Sequence, residues 1–363
     1  MDTYPIPARS LERYYKIDGR TLERRYKEHL SGFRDWNQRE VAGKKVLLPQ
    51  NMGTRLGIDE SMHSRDLFTF LINKDGHGKK GTLIAAVRGT KASTVIAALK
   101  EIPLEARLKV EEVTMDFSDS MHAIVKECFP NAIIVIDCFH IMQRVCEGLS
   151  EMRMRFKRKA QTERKKEETE FKRKQLRRKK AREYYRKRHP LKKGRKANNG
   201  KRRGRTRMRA NAKFVPQTLA NGDTKVELLT RARYVLPKSG EDWSDSQKER
   251  AEILFELYPR LKEAYSLICS LRAIFRNKKL DKEGAKIKLT EWYAKVNESA
   301  MPEITSAKNC IRSREDEVLN YFINRSTNAA SESYNSKMKG FRSELRGVRD
   351  IEFYLYRCVM IFG

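Results

Sequence analysis

The most constraining feature of the sequence is a series of short apolar runs between residues 54 and 140, several of which end in an acidic residue. Three runs follow one another closely, with the glycine-rich segment KDGHGKK between the second and the third. Two further runs each follow a segment with helical spacing. Short apolar runs bounded by glycine and acidic residues are typical of buried strands. The pattern predicts an antiparallel meander of three strands, then two parallel strands with crossover helices.

Acidic residues end two strands of this predicted sheet, whose strand order is that of an RNase H-like fold. Asp59 follows LGI on the first strand, and Asp116 follows VTM on the fourth. Metal-dependent phosphoryl transfer needs carboxylates that converge on one point, and a third is expected on a later helix. Glu332 is the best candidate because small residues surround it in NAASESYNS, and Glu263 and Glu291 are the alternatives. The alternative to a catalytic role is that each acid simply forms the turn after its strand.

The fifth run, NAIIVIDCFH, ends in Asp137, and His140 follows three residues later. His140 is interpreted either as a donor to the scissile phosphate or as a structural histidine at a strand end. Asp137 is interpreted as its supporting partner, or as a second metal ligand in place of Asp116. Both residues are therefore catalytic candidates.

Positive charge is concentrated in one segment. Residues 151–210 hold 29 Lys and Arg and 6 Glu, within a chain of net charge +32. Lys and Arg displace condensed counterions from phosphates, so the tract at 151–215 predicts contacts with the phosphate backbone of a nucleic acid, which the resemblance given below implies is double-stranded DNA. A solvated charged helix is the alternative. The candidate DNA contacts in this tract and beside Glu332 are Arg177, Arg178, Lys179, Arg202, Arg203, Lys337, Lys339 and Arg342.

The remaining features narrow the class of protein. No apolar run has the length of a membrane span, the start has no signal-peptide pattern, and the six cysteines form no CxxC motif. We therefore expect a cytoplasmic protein that does not bind membranes. Residues 1–50 predict two short basic helices, the second capped by Thr21. A helix-turn-helix and a plain helical hairpin are both compatible with them.

The blocks LGIDE, VTMDFSDSMHAIVKECFPNAIIVIDCFH and STNAASESYNSKMKGF are similar to those of bacterial insertion-sequence transposases of the ISL3 group, relatives of the Mutator-type DDE transposases. The resemblance implies a catalytic metal triad of Asp59, Asp116 and Glu332, with Asn335 of the N-x-x-x-E-x-x-N block as a further DNA contact. Asp137 and His140 match the C/D-x-x-H motif of Mutator-type enzymes.

The resemblance implies an α/β architecture: an RNase H-like mixed five-stranded sheet interrupted by a large all-helical insertion. The expected catalytic domain comprises 51–140 and 325–363, with the insertion at 141–324 and an N-terminal helical region at 1–50. The implied function is metal-dependent DNA cleavage and strand transfer at element ends, with two Mg²⁺ ions and Mn²⁺ as a substitute. Element ends and target DNA would be the substrates, bound by a homo-oligomer associated with the nucleoid.

Three other functions fit parts of the pattern: an RNase H-like nuclease without strand transfer, a domesticated transposase-derived DNA-binding protein, and a basic RNA- or nucleoid-binding protein. One departure from the family is the absence of a Cys/His cluster before LGIDE, where relatives commonly have a zinc-binding region. A separately encoded small DNA-binding protein is one explanation for this difference.

Overall fold

The structure is a computed structural model that describes residues 1–63, 66–189, 212–345 and 350–363. The chain divides into two compact units. The first, here called the sheet unit, comprises Met1–Arg144, Ser270–Lys295 and Ala307–Gly363. The second, here called the helical unit, comprises Val145–Cys269 and Val296–Ser306.

A mixed sheet forms the centre of the sheet unit, in the order β1-β4-β3-β2-β5-β6. The pairs on the β1 side of β2 are antiparallel, whereas β2, β5 and β6 are parallel to one another. The strands are β1 (Lys45–Leu47), β2 (Arg55–His63), β3 (Asp66–Asn73), β4 (Leu83–Arg88), β5 (Glu112–Met115) and β6 (Ile133–Ile136).

The five predicted strands are present in the predicted order and directions, so the α/β class is confirmed. The predicted number of strands was wrong, because the described sheet has six. The additional strand β1 is only three residues long and pairs with the edge of β4. A segment of this length shows no periodicity from which a strand can be predicted.

Some of the described helices belong to the sheet unit and the others form the helical unit. They are α1 (Ala8–Tyr15), α2 (Gly19–Arg25), α3 (Ala92–Leu99), α4 (Leu104–Leu108), α5 (Asp119–Cys128), α6 (Cys138–Arg188), α7 (Lys225–Arg231), α8 (Asp245–Leu257), α9 (Pro259–Arg276), α10 (Lys282–Ser299), α11 (Pro302–Ser313), α12 (Glu315–Leu319), α13 (Tyr321–Asn324), α14 (Ala329–Glu344) and α15 (Ile351–Phe362). None of the helices in these described ranges is long and apolar enough to span a bilayer.

The start of α2 differs from the prediction. Helix α2 begins at Gly19, two residues before Thr21, and Asp18 is its cap. The carboxylate of Asp18 accepts a hydrogen bond from the backbone N–H of Thr21 at 2.8 Å. Aspartate and threonine side chains both accept hydrogen bonds from N–H groups of the first turn, so the sequence did not distinguish them. The prediction of Thr21 as the N-cap was therefore wrong.

Helices α14 and α15 cover one face of the sheet. Phe68, Phe70 and Ile72 alternate along β3 and pack in one apolar cluster with Tyr334 of α14 and Tyr354 of α15. Alternate residues of a strand point to the same face, and the intervening Leu71 is also buried. The sheet therefore has two buried faces, as expected where parallel strands are covered on both sides.

Gly57 of β2 is where α14 approaches the sheet most closely. A Cβ atom at this position would lie 2.3 Å from Ser331 Oγ and 3.2 Å from Asn328 Oδ1. Any other residue at position 57 would therefore push the first turn of α14 away from β2. This contact matters because the acidic residue Asp59 lies two positions farther along the same face of β2.

We predict that Gly57→Ala destabilises the protein by roughly 1–3 kcal/mol, because the methyl group overpacks this contact. Ser331 Oγ is buried without a hydrogen-bond partner among the described residues, so Ser331→Ala alone should be neutral or stabilising. The double variant should recover part of the loss, and urea unfolding of all four proteins measures this coupling.

Gly340 offers the matched control for this experiment. It lies in the same helix α14, and a Cβ there would meet no atom within 4 Å. Gly340→Ala should stabilise by roughly 0.5–1 kcal/mol through helix propensity. Strictly additive effects of Gly57→Ala and Ser331→Ala would contradict the proposed contact.

Candidate active site

Asp59 and Asp116 lie side by side on neighbouring parallel strands. Asp116 directly follows β5 as predicted, whereas Asp59 lies in the middle of β2 because that strand continues to His63. The register pairs Gly57 of β2 with Thr114 of β5. Asp59 and Asp116 each follow these partners by two residues, so both acids lie at the same level and on the same face. The sheet thus brings together the two carboxylates that the sequence predicted to be neighbours.

Asp59 is largely buried, and its acidity is strongly altered. Burial, and then the neighbouring charge of Asp116, raise the pKa of Asp59 from 3.8 to about 6. Two hydrogen bonds oppose this rise: the backbone N–H of Glu60 donates to Oδ1 at 2.7 Å, and the amide of Asn335 donates to Oδ2 at 2.6 Å. Burial and Asp116 also raise the pKa of Glu60. The site therefore holds excess negative charge.

His140 contacts this acidic group directly. Its Nε2 lies 2.8 Å from Asp116 Oδ1, near the start of α6. The hydrogen bond to Asp116 raises the pKa of His140, and its partial burial opposes that rise. The ring of the exposed Phe139 meets the imidazole edge-to-face at 5.5 Å. His140 is thus placed among the predicted site residues rather than in the apolar core.

Asn328 links the N-terminus of α14 to the ends of several strands. Its side-chain amide donates to Asp116 Oδ1 at 3.1 Å and to the backbone carbonyl of Ile58 at 3.3 Å. Its side-chain oxygen accepts from the hydroxyl of Thr114 at 3.3 Å, and its backbone N–H donates to Asp137 Oδ2 at 2.7 Å. This fully buried side chain was not among the sequence candidates.

Asn335 and Asp137 have structural roles in this site. Asn335 was predicted to contact DNA, and that contact stays a prediction; in this structure it is buried, and its amide donates to Asp59 and orients that carboxylate. Asp137 is also buried, and both of its oxygens accept backbone N–H groups, from Asn328 and from Phe139. These contacts favour Asp137 as a residue that positions α6 and α14 over Asp137 as a metal ligand.

Glu332 lies in the first turn of α14, one helical turn before Asn335. Residues three apart lie on neighbouring positions of a helix surface, so Glu332 stands next to the residue that holds Asp59. Its side chain is exposed. Among the described residues, no three His, Cys, Asp or Glu side chains form a group that could hold a metal ion. The structure therefore groups Asp59 with Asp116 and does not add Glu332 to them.

The predicted DNA contacts lie at several places. Lys337 and Lys339 are exposed on α14, and the Lys337 ammonium donates to the carbonyl of Gly78 at 2.9 Å. Arg342 is partly buried, with its guanidinium 3.5 Å from the carbonyl of Met62. Three candidates are exposed on α6, namely Arg177, Arg178 and Lys179. Arg202 and Arg203 lie outside the described residues.

Comparison with known proteins gives one match. The family model DDE_Tnp_ISL3, described as Transposase, matches residues 56–358 of the chain. This span includes Asp59 and Asp116, the whole of α6 and α14, and the first two thirds of α15. No curated protein and no solved structure matches the chain.

We predict that Asp59→Asn stabilises the protein at pH 8 in EDTA by on the order of 1–2 kcal/mol. Because the folded-state pKa of Asp59 is raised from 3.8 to about 6, ionising it disfavours the folded state. That penalty grows as the pH rises from about 4 to about 6 and is constant above this range, so the benefit of Asn should vanish near pH 4.

Thermal unfolding across this pH range measures the effect. Glu105→Gln is the control, because Glu105 is an exposed acid and should not show the same pH-dependent gain. If the Asp59→Asn variant were no more stable than the parent at pH 8, ionisation of Asp59 would not destabilise the folded protein, and the raised pKa would be contradicted.

Proposed function

Because the chain belongs to the ISL3-group transposase family, we propose that it cleaves DNA at the ends of an insertion sequence and transfers the freed strands to target DNA. The observation that carries this proposal is the pair Asp59 and Asp116, set side by side on parallel strands with the pKa of Asp59 raised to about 6. A buried carboxylate whose pKa is raised beside a second acid is typical of a site built for a cation.

The fold supports the same proposal. The antiparallel β4-β3-β2 followed by parallel β5 and β6 has the strand order of an RNase H-like sheet, with β1 as an addition at its edge. Helices from α6 to α13 intervene between β6 and α14, as a helical insertion before the last catalytic residue would. We therefore assign an RNase H-like catalytic core.

The donor set fits Mg²⁺, with Mn²⁺ as a substitute. Carboxylate oxygens are the ligands that Mg²⁺ prefers, and a dication beside Asp59 and Asp116 would offset the repulsion that raises the pKa of Asp59. Asp59, Asp116 and Glu332 would hold two such ions, which requires Glu332 to turn towards the pair. When bound, the ions activate the attacking water or 3′-hydroxyl and stabilise the leaving oxygen.

The other residues of the site position these groups. Asn335 and the N–H of Glu60 fix the orientation of the Asp59 carboxylate by one hydrogen bond to each oxygen. Asn328 and His140 both contact Oδ1 of Asp116 and hold it in place. His140, whose pKa is raised by its hydrogen bond to Asp116, would donate a proton to the scissile phosphate or the leaving oxygen. The exposed basic residues of α6 would bind the DNA backbone.

Transposition joins two element ends, so we propose that the chain acts as a homo-oligomer in which each copy supplies one catalytic site. Recognition of the end sequence would come from residues 1–50 or from a separately encoded DNA-binding protein. Helices α1 and α2 form a short basic pair, which fits either arrangement.

The decisive experiment is a strand-transfer assay with pre-cut element ends, Mg²⁺ and a target plasmid. Asp59→Asn, Asp116→Asn and Glu332→Gln should each lower the rate by at least about 10³-fold, because each removes a ligand that acts on the transition state. Glu344→Gln, on the same helix as Glu332 and also exposed, should leave the rate unchanged.

The three outcomes separate the alternatives. Cleavage without end joining would favour a nuclease. DNA binding with no cleavage in any metal would favour a domesticated binding protein. Full activity of Glu332→Gln, with loss in both Asp variants, would remove Glu332 from the catalytic set and leave the carboxylate pair.

A further inference from the structure

The helical unit contains a basic cavity that the catalytic proposal does not use. It has a volume of about 540 Å³ and lies where α7, the turn after it and the start of α8 meet. Its lining residues include four basic side chains and no acidic one. The basic residues are Arg231, Arg233, Lys238 and Arg250. A concave surface of one charge focuses the field on a ligand of the opposite charge.

Two of these cations are held in place by a single buried acid. The Asp223 carboxylate is 2% exposed and forms ion pairs with the guanidinium groups of Arg231 and Arg250. Arg250 Nε lies 3.2 Å from Asp223, and its Nη1 donates to the carbonyl of Ser246. One carboxylate cannot neutralise two guanidinium groups, so a positive charge remains at the cavity wall. Both side chains are held in fixed positions before any ligand arrives.

The other two cations are exposed at the mouth of the cavity. The Arg233 guanidinium lies over the ring of Tyr234, 4.3 Å from its centroid, which limits its motion. The backbone of Lys238 is anchored, since its carbonyl accepts from the hydroxyl of Tyr265 at 3.0 Å. In the described part of the chain, no acidic side chain forms an ion pair with Arg233 or Lys238. Both charges are therefore available to a ligand.

Neutral donors complete the wall. Ser244 and Ser246 line the cavity at the N-terminus of α8, with their hydroxyl oxygens 3.2 Å apart. The N-terminus of a helix carries a partial positive charge and unsatisfied N–H groups. Guanidinium groups, hydroxyls and a helix N-terminus are together the donors that bind phosphate oxygens.

We propose that this cavity binds a backbone phosphodiester of the DNA substrate, independently of base sequence. The choice of DNA as the ligand rests on the proposed function, whereas the preference for a phosphodiester rests on the cavity itself. The exposed Arg233 and Lys238 would bind the phosphate oxygens, Arg231 and Arg250 would supply the fixed positive wall beside them, and Tyr234 would flank the adjoining sugar or base. The cavity would thus fix the position of one segment of DNA on the helical unit.

The test is binding of the full chain to a labelled duplex of arbitrary sequence in EDTA, over a series of salt concentrations. The double variant Arg233→Ala/Lys238→Ala should bind more weakly and should lower the slope of log Kd against log salt by about 1–2, because each lost phosphate contact removes about 0.9. The loss should be the same on element-end and unrelated duplexes. The charge-retaining variant Arg233→Lys/Lys238→Arg should keep most of the slope.

The control is Lys126→Ala/Lys286→Ala, which removes the same charge from two exposed helical positions of the sheet unit. This control should change the slope less, and all variants should keep the parental unfolding temperature because the altered side chains are exposed. A parental slope in Arg233→Ala/Lys238→Ala, or an equal change in the control, would overturn the proposal. Because the assay contains no metal, its outcome does not depend on cleavage, and Asp59→Asn should keep the full slope.

Discussion

The hydrogen bonds of Asn328 are the constraint on which the candidate site depends. A buried amide must find partners for its donors and acceptors, because burying them unpaired is unfavourable by roughly 1–3 kcal/mol each. Asn328 satisfies this requirement only where β2, β5 and the start of α6 come together, since its partners are Ile58, Thr114, Asp116 and Asp137. The position of α14 follows from these bonds, and with it the positions of Glu332 and Asn335. Packing at Gly57 then brings the helix close enough for the bonds to form.

The ionised carboxylate of Asp59 lowers the stability of the folded protein at this site. Asp59 is kept where its ionised form is disfavoured, beside a second carboxylate and away from water. The surrounding hydrogen bonds from Asn335, Asn328 and His140 compensate for part of this repulsion and fix the direction of the oxygens. Holding the ionised Asp59 in this place lowers the stability of the protein, and the cation proposed above would offset that cost. Stability has therefore been reduced locally at the place where chemistry is expected.

The sequence predicted the parts of this arrangement that follow from pattern. Apolar runs that end in acids located β2, β5 and β6, and the parallel register then places Asp59 beside Asp116. Asn328 has no periodic signature, because it is a single buried polar residue at the start of a helix. The signal that could have located it is its place as the first Asn of the N-x-x-x-E-x-x-N block. The bond between Asn335 and Asp59 likewise joins distant parts of the chain and leaves no periodic pattern. Strand β1 was not predicted because its three residues are too few to show alternation of apolar and polar side chains. The cavity around Arg231 and Arg250 depends on the buried Asp223, which precedes α7 and pairs with a residue at the end of α7 and with another on α8; only the folded chain reveals this.

The distance along the chain between Asn328 and its partners has a consequence for synthesis. In the sequence, Asn328 follows its hydrogen-bond partner Asp137 by 191 residues and its partner Ile58 by 270 residues. Strands β2, β5 and β6 are therefore synthesised well before α14. Until α14 follows, the two carboxylates have neither Asn328 nor Asn335 to orient them. The site is thus completed only by contacts between residues far apart in the chain, and such contacts form slowly in folding.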